Sequence, residues 1–114
     1  MMIHLDEGVS KTVPITFYAD PMERQPRNLL ADGYGARAVL IDERGVVVPG
    51  SMVSTTHGGI TLADGDDNLI ILWGAGATAY WTFEQAECQV DLTLSDQPVQ
   101  RIKFNVGFGE DGRT

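Results

Sequence analysis

The sequence predicts an all-β domain: a small antiparallel β-sandwich of about seven strands with one short helix. Two strict alternations carry that expectation. Cys88, Val90, Leu92 and Leu94 share one face of the first, and Gln89, Asp91, Thr93 and Ser95 share the other. Ile102, Phe104, Val106 and Phe108 share one face of the second, opposite Arg101, Lys103 and Asn105. Side chains on a strand have a period of two, so residues 86–108 read as a half-buried hairpin turning at Asp96, Gln97 and Pro98. The 13 glycines and 5 prolines add the turns that many short strands need.

The other elements follow in order. Residues 1–10 read as a loosely ordered lead into a single domain spanning residues 1–114. Lys11 to Ala19 alternates, with Val13, Ile15, Phe17 and Ala19 on one side, and Pro14 points to an edge or a strand start. Asp20 to Gly33 is a polar loop, long for a compact domain and thus a candidate contact surface, with Leu29 and Leu30 pinning it to the core. Tyr34 to Ile41 is a strand with Tyr34, Ala36, Ala38 and Leu40 on one face. The turn Asp42-Glu43-Arg44-Gly45 returns the chain through Val46 to Val48, and Ser51 to Thr56 is a further strand. Ile60 to Leu62 and Leu69 to Trp73 flank a polar hairpin loop. Gly74 to Glu84 is the one helix candidate, too short to stand without packing.

Composition narrows the function classes. The chain has 114 residues, 8 basic against 16 acidic, and a formal net charge of -8. Nucleic-acid binding draws on clustered lysine and arginine, and anionic membranes attract basic patches, so neither is an expected partner. One cysteine, Cys88, excludes an intrachain disulfide, and its place on an apolar face predicts a buried, inert thiol. No apolar run is long enough to cross a membrane, and no secretory leader is read, so the expected site of synthesis is intracellular.

Few constellations offer chemistry. Asp64, Asp66 and Asp67, beside Asn68, are weak calcium candidates, because closely spaced carboxylates can supply several of the oxygens that calcium takes. Their spacing is not that of an EF-hand, and a solvated hairpin tip explains them better. His4 and His57 lie too far apart in sequence to suggest a zinc site, and His57 beside Gly58-Gly59 reads as a turn residue. No serine stands in a Gly-x-Ser-x-Gly setting, and Gly74-Ala75-Gly76 lacks the rest of a phosphate loop. Trp73, Tyr80, Trp81 and Phe83 form an aromatic cluster whose simplest role is the core, with a partly exposed Trp73 or Trp81 at an interface as the other option. No cofactor or catalytic residue is expected.

The order of these pieces resembles a group of small virion proteins of tailed bacteriophages and prophages. The resemblance rests on residues 33–42 with Gly45-Val46-Val47, then Gly58-Gly59-Ile60-Thr61-Leu62, the apolar run from Asn68 to Trp73 and the short Gly74 to Ala79 segment. The closing hairpin, from Val90-Asp91-Leu92 to Val106, completes it. The resemblance covers most of residues 11–114. The chain departs from the group at Glu87-Cys88-Gln89, where an aromatic often stands, and at Gln97-Pro98, in place of a glycine turn. It implies an Ig-like sandwich, tail or tail-fibre associated, with no catalytic residues. It also implies a place in the virion, and in the host cytoplasm during assembly.

The functional expectation is therefore a non-enzymatic structural or assembly protein that docks on other phage virion proteins, with a homo-oligomer as a possible form. Arg24, Arg27, Trp73 and Trp81 are the interface candidates. The alternative is a β-sandwich that binds carbohydrate or calcium. Burial of both tryptophans counts against a sugar platform.

Overall fold

The computed structural model describes residues 2–6, 8–20, 22, 25–79 and 81–109. The described chain is all-β, with one helical turn. In order, it runs β1 (Met2–Asp6), β2 (Lys11–Ile15), β3 (Tyr18–Asp20), β4 (Gln25–Pro26), β5 (Gly35–Asp42), β6 (Val53–Ser54), β7 (Ile60–Leu62), β8 (Leu69–Trp73), α1 (Ala75–Thr78), β9 (Gln85–Leu94) and β10 (Gln97–Gly109). A five-stranded sheet has the order β1-β10-β9-β5-β6, and a three-stranded sheet the order β2-β8-β7. β3 and β4 form a small hairpin of their own.

The alternations predicted from sequence set which faces are dry. Ala86, Cys88, Val90 and Leu92 of β9 are buried, level with Ala36, Ala38 and Leu40 of β5 and with Val106 of β10. Val13, Ile15, Ile60, Leu69, Ile71 and Trp73 come from the three-stranded sheet. All of them belong to one buried cluster, to which Phe17, Leu29, Trp81, Phe83 and Phe108 also contribute.

Several expectations change. The lead at residues 1–10 is not loose along Met2–Asp6: it forms β1, parallel to β10 from Asn105 to Gly109. Leu5 is fully buried there, so a short apolar alternation was enough once a distant strand supplied the ladder. The strand expected from Lys11 to Ala19 breaks into β2 and β3. Pro14 does lie in an edge strand, β2. In the Asp20–Gly33 loop Leu29 is buried, but Leu30 is 65% exposed and pins nothing.

The hairpin turn also moves. Ser95 and Asp96 take positive φ values of 53° and 64°, the signature of a two-residue turn that matches strand twist. Gln97 already pairs with Leu94 and Pro98 with Thr93, and a bulge follows before Gln100. The expected strand over Ser51 to Thr56 shrinks to Val53–Ser54. The helix expected over Gly74 to Glu84 stops at Thr78, because Trp81 and Phe83 turn into the core.

Candidate docking surface

Both sheets carry apolar inner faces, but their outer faces differ. On the five-stranded sheet, Arg37, Asp91 and Arg101 stand in one row across β5, β9 and β10. Asp91 is only 8% exposed, and it is the hub of the row. Arg101 donates to both of its oxygens, at 2.5 and 3.0 Å, and Arg37 lies 3.6 Å away. The Arg101 hydrogen bonds, foremost, hold the Asp91 carboxyl below the usual carboxylate range. In the next rows Lys103 reaches Glu87 at 4.0 Å, and Gln89 donates to Glu87 at 2.9 Å.

The free edge of β10 lies on the same sheet. β9 pairs with β10 from Gln97 to Gly107, whereas β1 covers its opposite side only from Asn105 to Gly109. Among the described residues, Gln97 to Phe104 have no strand on that side. A groove of about 630 Å³ runs beside this edge, lined by Ile102, Lys103 and Phe104 on one bank and Pro14, Ile15 and Tyr18 on the other. It lies between the open margins of the two sheets, and Ile102 and Phe104 are only partly buried in it.

The candidates read from sequence fall elsewhere. Trp73 is 1% exposed and Trp81 5%, so neither presents an interface as they stand. Their ring centroids are 6.1 Å apart in an edge-to-face contact, and Phe83 and Phe108 complete the cluster around Trp81. Each indole N–H is used internally: Trp73 Nε1 donates to Ser51 O at 3.0 Å and Trp81 Nε1 to Pro49 O at 2.9 Å. Large aromatic area favours the core when such a partner is at hand. Arg27 is half-buried, with Nε bonded to Gln100 Oε1 at 2.9 Å and Nη1 to Tyr34 Oη at 3.0 Å, so it clamps the loop beside β10. Arg24 and Tyr80 lie outside the described residues.

The acidic loop is a fastening. Asp64 Oδ1 accepts the N–H groups of Leu30 and Ala31 at 3.1 and 3.0 Å. Asp67 adopts φ 52°, and its N–H donates to Thr16 Oγ1. Asn68 is fully buried: its Oδ1 accepts from Phe17 N, and its Nδ2 donates to Phe17 O and Arg27 O, all within 3.0 Å. No three His, Cys, Asp or Glu side chains gather in metal-binding geometry among the described residues. His57 sits in a turn, its N–H on Ser54 Oγ, and His4 Nε2 faces Asp6 Oδ1 at 3.3 Å. Cys88 is buried, and that burial pushes its thiol up to about 12, which removes the thiolate that reactivity needs.

Sequence reasoning missed two features of this region. Asn68 looked like a member of a polar loop, and only its contacts reveal it as a buried keystone. The pairing of β1 with Asn105 to Gly109 of β10 joins the two ends of the sequence, which no local pattern encodes. No helix is long and apolar enough to cross a membrane among the described residues. No protein-family model, curated protein or solved structure matches the chain.

Proposed function

We propose that this chain is a non-enzymatic structural or assembly protein of a bacteriophage or prophage virion, tail-associated, acting by protein–protein docking as an Ig-like β-sandwich. The observation that carries the docking reading is the open groove between the two sheets, beside the stretch of β10 that no described strand covers. A strand edge offers backbone hydrogen bonds to a neighbour without any change of fold. The virion assignment rests on the sequence resemblance described above.

Strand order supports the Ig-like reading. β10-β9-β5-β6 follows the order of strands G, F, C and C′ of a variable-type Ig domain, and β2-β8-β7 follows B, E and D. The β3–β4 hairpin then falls in the B–C connection, where variable loops sit. The carbohydrate alternative loses its platform, since both indoles are buried. The calcium alternative loses Asp64 Oδ1 to two backbone donors.

Light scattering on the size-fractionated protein, over a range of concentrations with and without calcium, tests the reading. A closed oligomer indifferent to calcium is expected for a repeated virion part. A mass that changes with calcium restores the ligand-binding alternative, and a monomer at every concentration removes the repeated-copy form of the proposal.

A further inference from the structure

We propose that Asp32-Gly33 is a modification site, where Asp32 converts spontaneously to isoaspartate and so opens the turn that ends the Asp20–Gly33 loop. The proposal does not depend on the docking reading, although it falls on a loop expected to make contacts.

The reaction needs only water. The Gly33 amide nitrogen attacks Asp32 Cγ and forms a C–N bond. One carboxyl oxygen leaves as water, taking the amide proton. Water then opens the resulting cyclic imide at either carbonyl. Opening at the former main-chain carbonyl leaves the chain running through the Asp32 side chain, one methylene longer. Ring closure is intramolecular, so its rate is set by how freely the two groups meet. A glycine after the aspartate leaves the nitrogen unhindered.

The sequence holds three Asp-Gly pairs, at Asp32, Asp64 and Asp111, and the last lies outside the described residues. The structure separates the first two. Asp32 and Gly33 are both exposed, and the Asp32 carboxylate makes no hydrogen bond or ion pair among the described residues. Gly33 has φ 75° with open space around it, so nothing packs against the approaching groups. Its N–H is held by one long bond, 3.3 Å, to Leu30 O. Asp64 is tied instead. Its Oδ1 accepts Leu30 N–H and Ala31 N–H at 3.1 and 3.0 Å, and swinging Cγ toward Gly65 N breaks both bonds at once.

The extra methylene would enter a closed turn. Gly33 N–H on Leu30 O and Tyr34 N–H on Leu29 O span it, and the same turn presents Leu30 and Ala31 N–H to Asp64. A longer main chain does not keep all of these bonds, so isomerisation loosens the loop from the β7–β8 connection.

The test ages the full chain at neutral pH, natively folded and unfolded in urea, and maps isoaspartate by electron-transfer mass spectrometry of its peptides. Mapping keeps Asp111 apart. In the folded protein Asp32 should isomerise at least about tenfold faster than Asp64, whereas in urea the two rates should be nearly equal. Isoaspartate at Asp64 first, or a folded ratio no larger than the ratio in urea, overturns the proposal. Asp32→Asn loses ammonia in place of water and should react about tenfold faster or more. Asp32→Glu keeps the charge but closes a larger ring, and should leave the site unmodified. An unchanged rate in either variant also overturns the proposal. The isomerised fraction, separated by chromatography, should exchange the Leu30, Ala31 and Tyr34 amides faster than the native fraction. Equal exchange in the two fractions overturns the opening of the turn.

Discussion

The two sheets bury similar inner faces and present different outer ones. The outer face of β5, β9 and β10 is dominated by charge and amide: Arg37, Asp91 and Arg101, then Val39, Gln89 and Lys103, then Ile41, Glu87 and Asn105. The outer face of β2, β8 and β7 carries Thr12, Pro14, Thr61, Ile70 and Leu72, with no charge among them. Alternation decides which residues go inside, but it does not decide how wet the outside is. Hydrogen-bonded ion pairs stabilise the first face only modestly, because their arginines remain half exposed. The second face relies on its core contacts and on the way Gly59 joins the sheets. Gly59 O accepts from Leu72 N at 2.7 Å, and a bridge links Gly59 to Ser54 of β6.

This contrast predicts a graded set of losses. The largest belongs to the inner face of the three-stranded sheet. Trp73→Ala should destabilise the fold by about 4 kcal/mol in chemical denaturation, since it empties a fully buried site and frees Ser51 O. A smaller effect there, near that of a surface change, would show that the three-stranded sheet carries little of the core.

Gly59→Ala comes next, at about 3 kcal/mol. Gly59 has φ 95°, and an added Cβ would meet Val53 Cγ1 at 2.5 Å and Val53 Cβ at 2.7 Å. Asn68→Ala should cost a similar amount, about 3 kcal/mol, because it orphans Phe17 N–H and Arg27 C=O and leaves Phe17 C=O with Arg27 N–H as its remaining donor. Of the two, Asn68→Ala should also loosen the β3–β4 hairpin, visible as faster amide exchange at Phe17 and Arg27.

On the charged face the expected effects are smaller and depend on pH. Asp91→Asn should cost about 1 kcal/mol at neutral pH. The sign follows from the lowered pKa of Asp91, set first by its hydrogen bonds to Arg101. A carboxyl depressed in the folded state contributes its full stability above the unfolded carboxylate value and loses it as pH falls through the folded one. Melting curves of wild type and Asp91→Asn should therefore separate at neutral pH and converge in acid. A constant gap across pH would place the loss in packing. Least affected is Leu72→Lys, on the uncharged face, at within about 0.5 kcal/mol.

Legibility in the sequence follows how local the cause is. The faces of β9 and β10 could be read because each residue reports its own side. Ile60–Leu62 and Leu69–Trp73 could be read because polar turn residues bracket them. The turn at Ser95-Asp96 could not, because Pro98 looks like a turn former. In the fold Pro98 stands opposite Thr93, next to the bulge, where its missing N–H does no harm. β1 could not be read because its ladder partner lies about a hundred residues away. Interface candidates chosen by residue type alone failed for Trp73 and Trp81, since the features that make tryptophan sticky also make it the first residue buried.

The sequence by itself determined an all-β chain, a central hairpin with assigned faces, an inert buried cysteine and an acidic surface. Each of these depends on side-chain period, composition or the chemistry of one residue. Only the tertiary structure decided that Asn68 joins three backbone groups, that Asp64 fastens the Leu30 turn, and that β1 pairs with the far end of β10. These depend on which distant segments meet, and the chain's local preferences leave that open until the core closes.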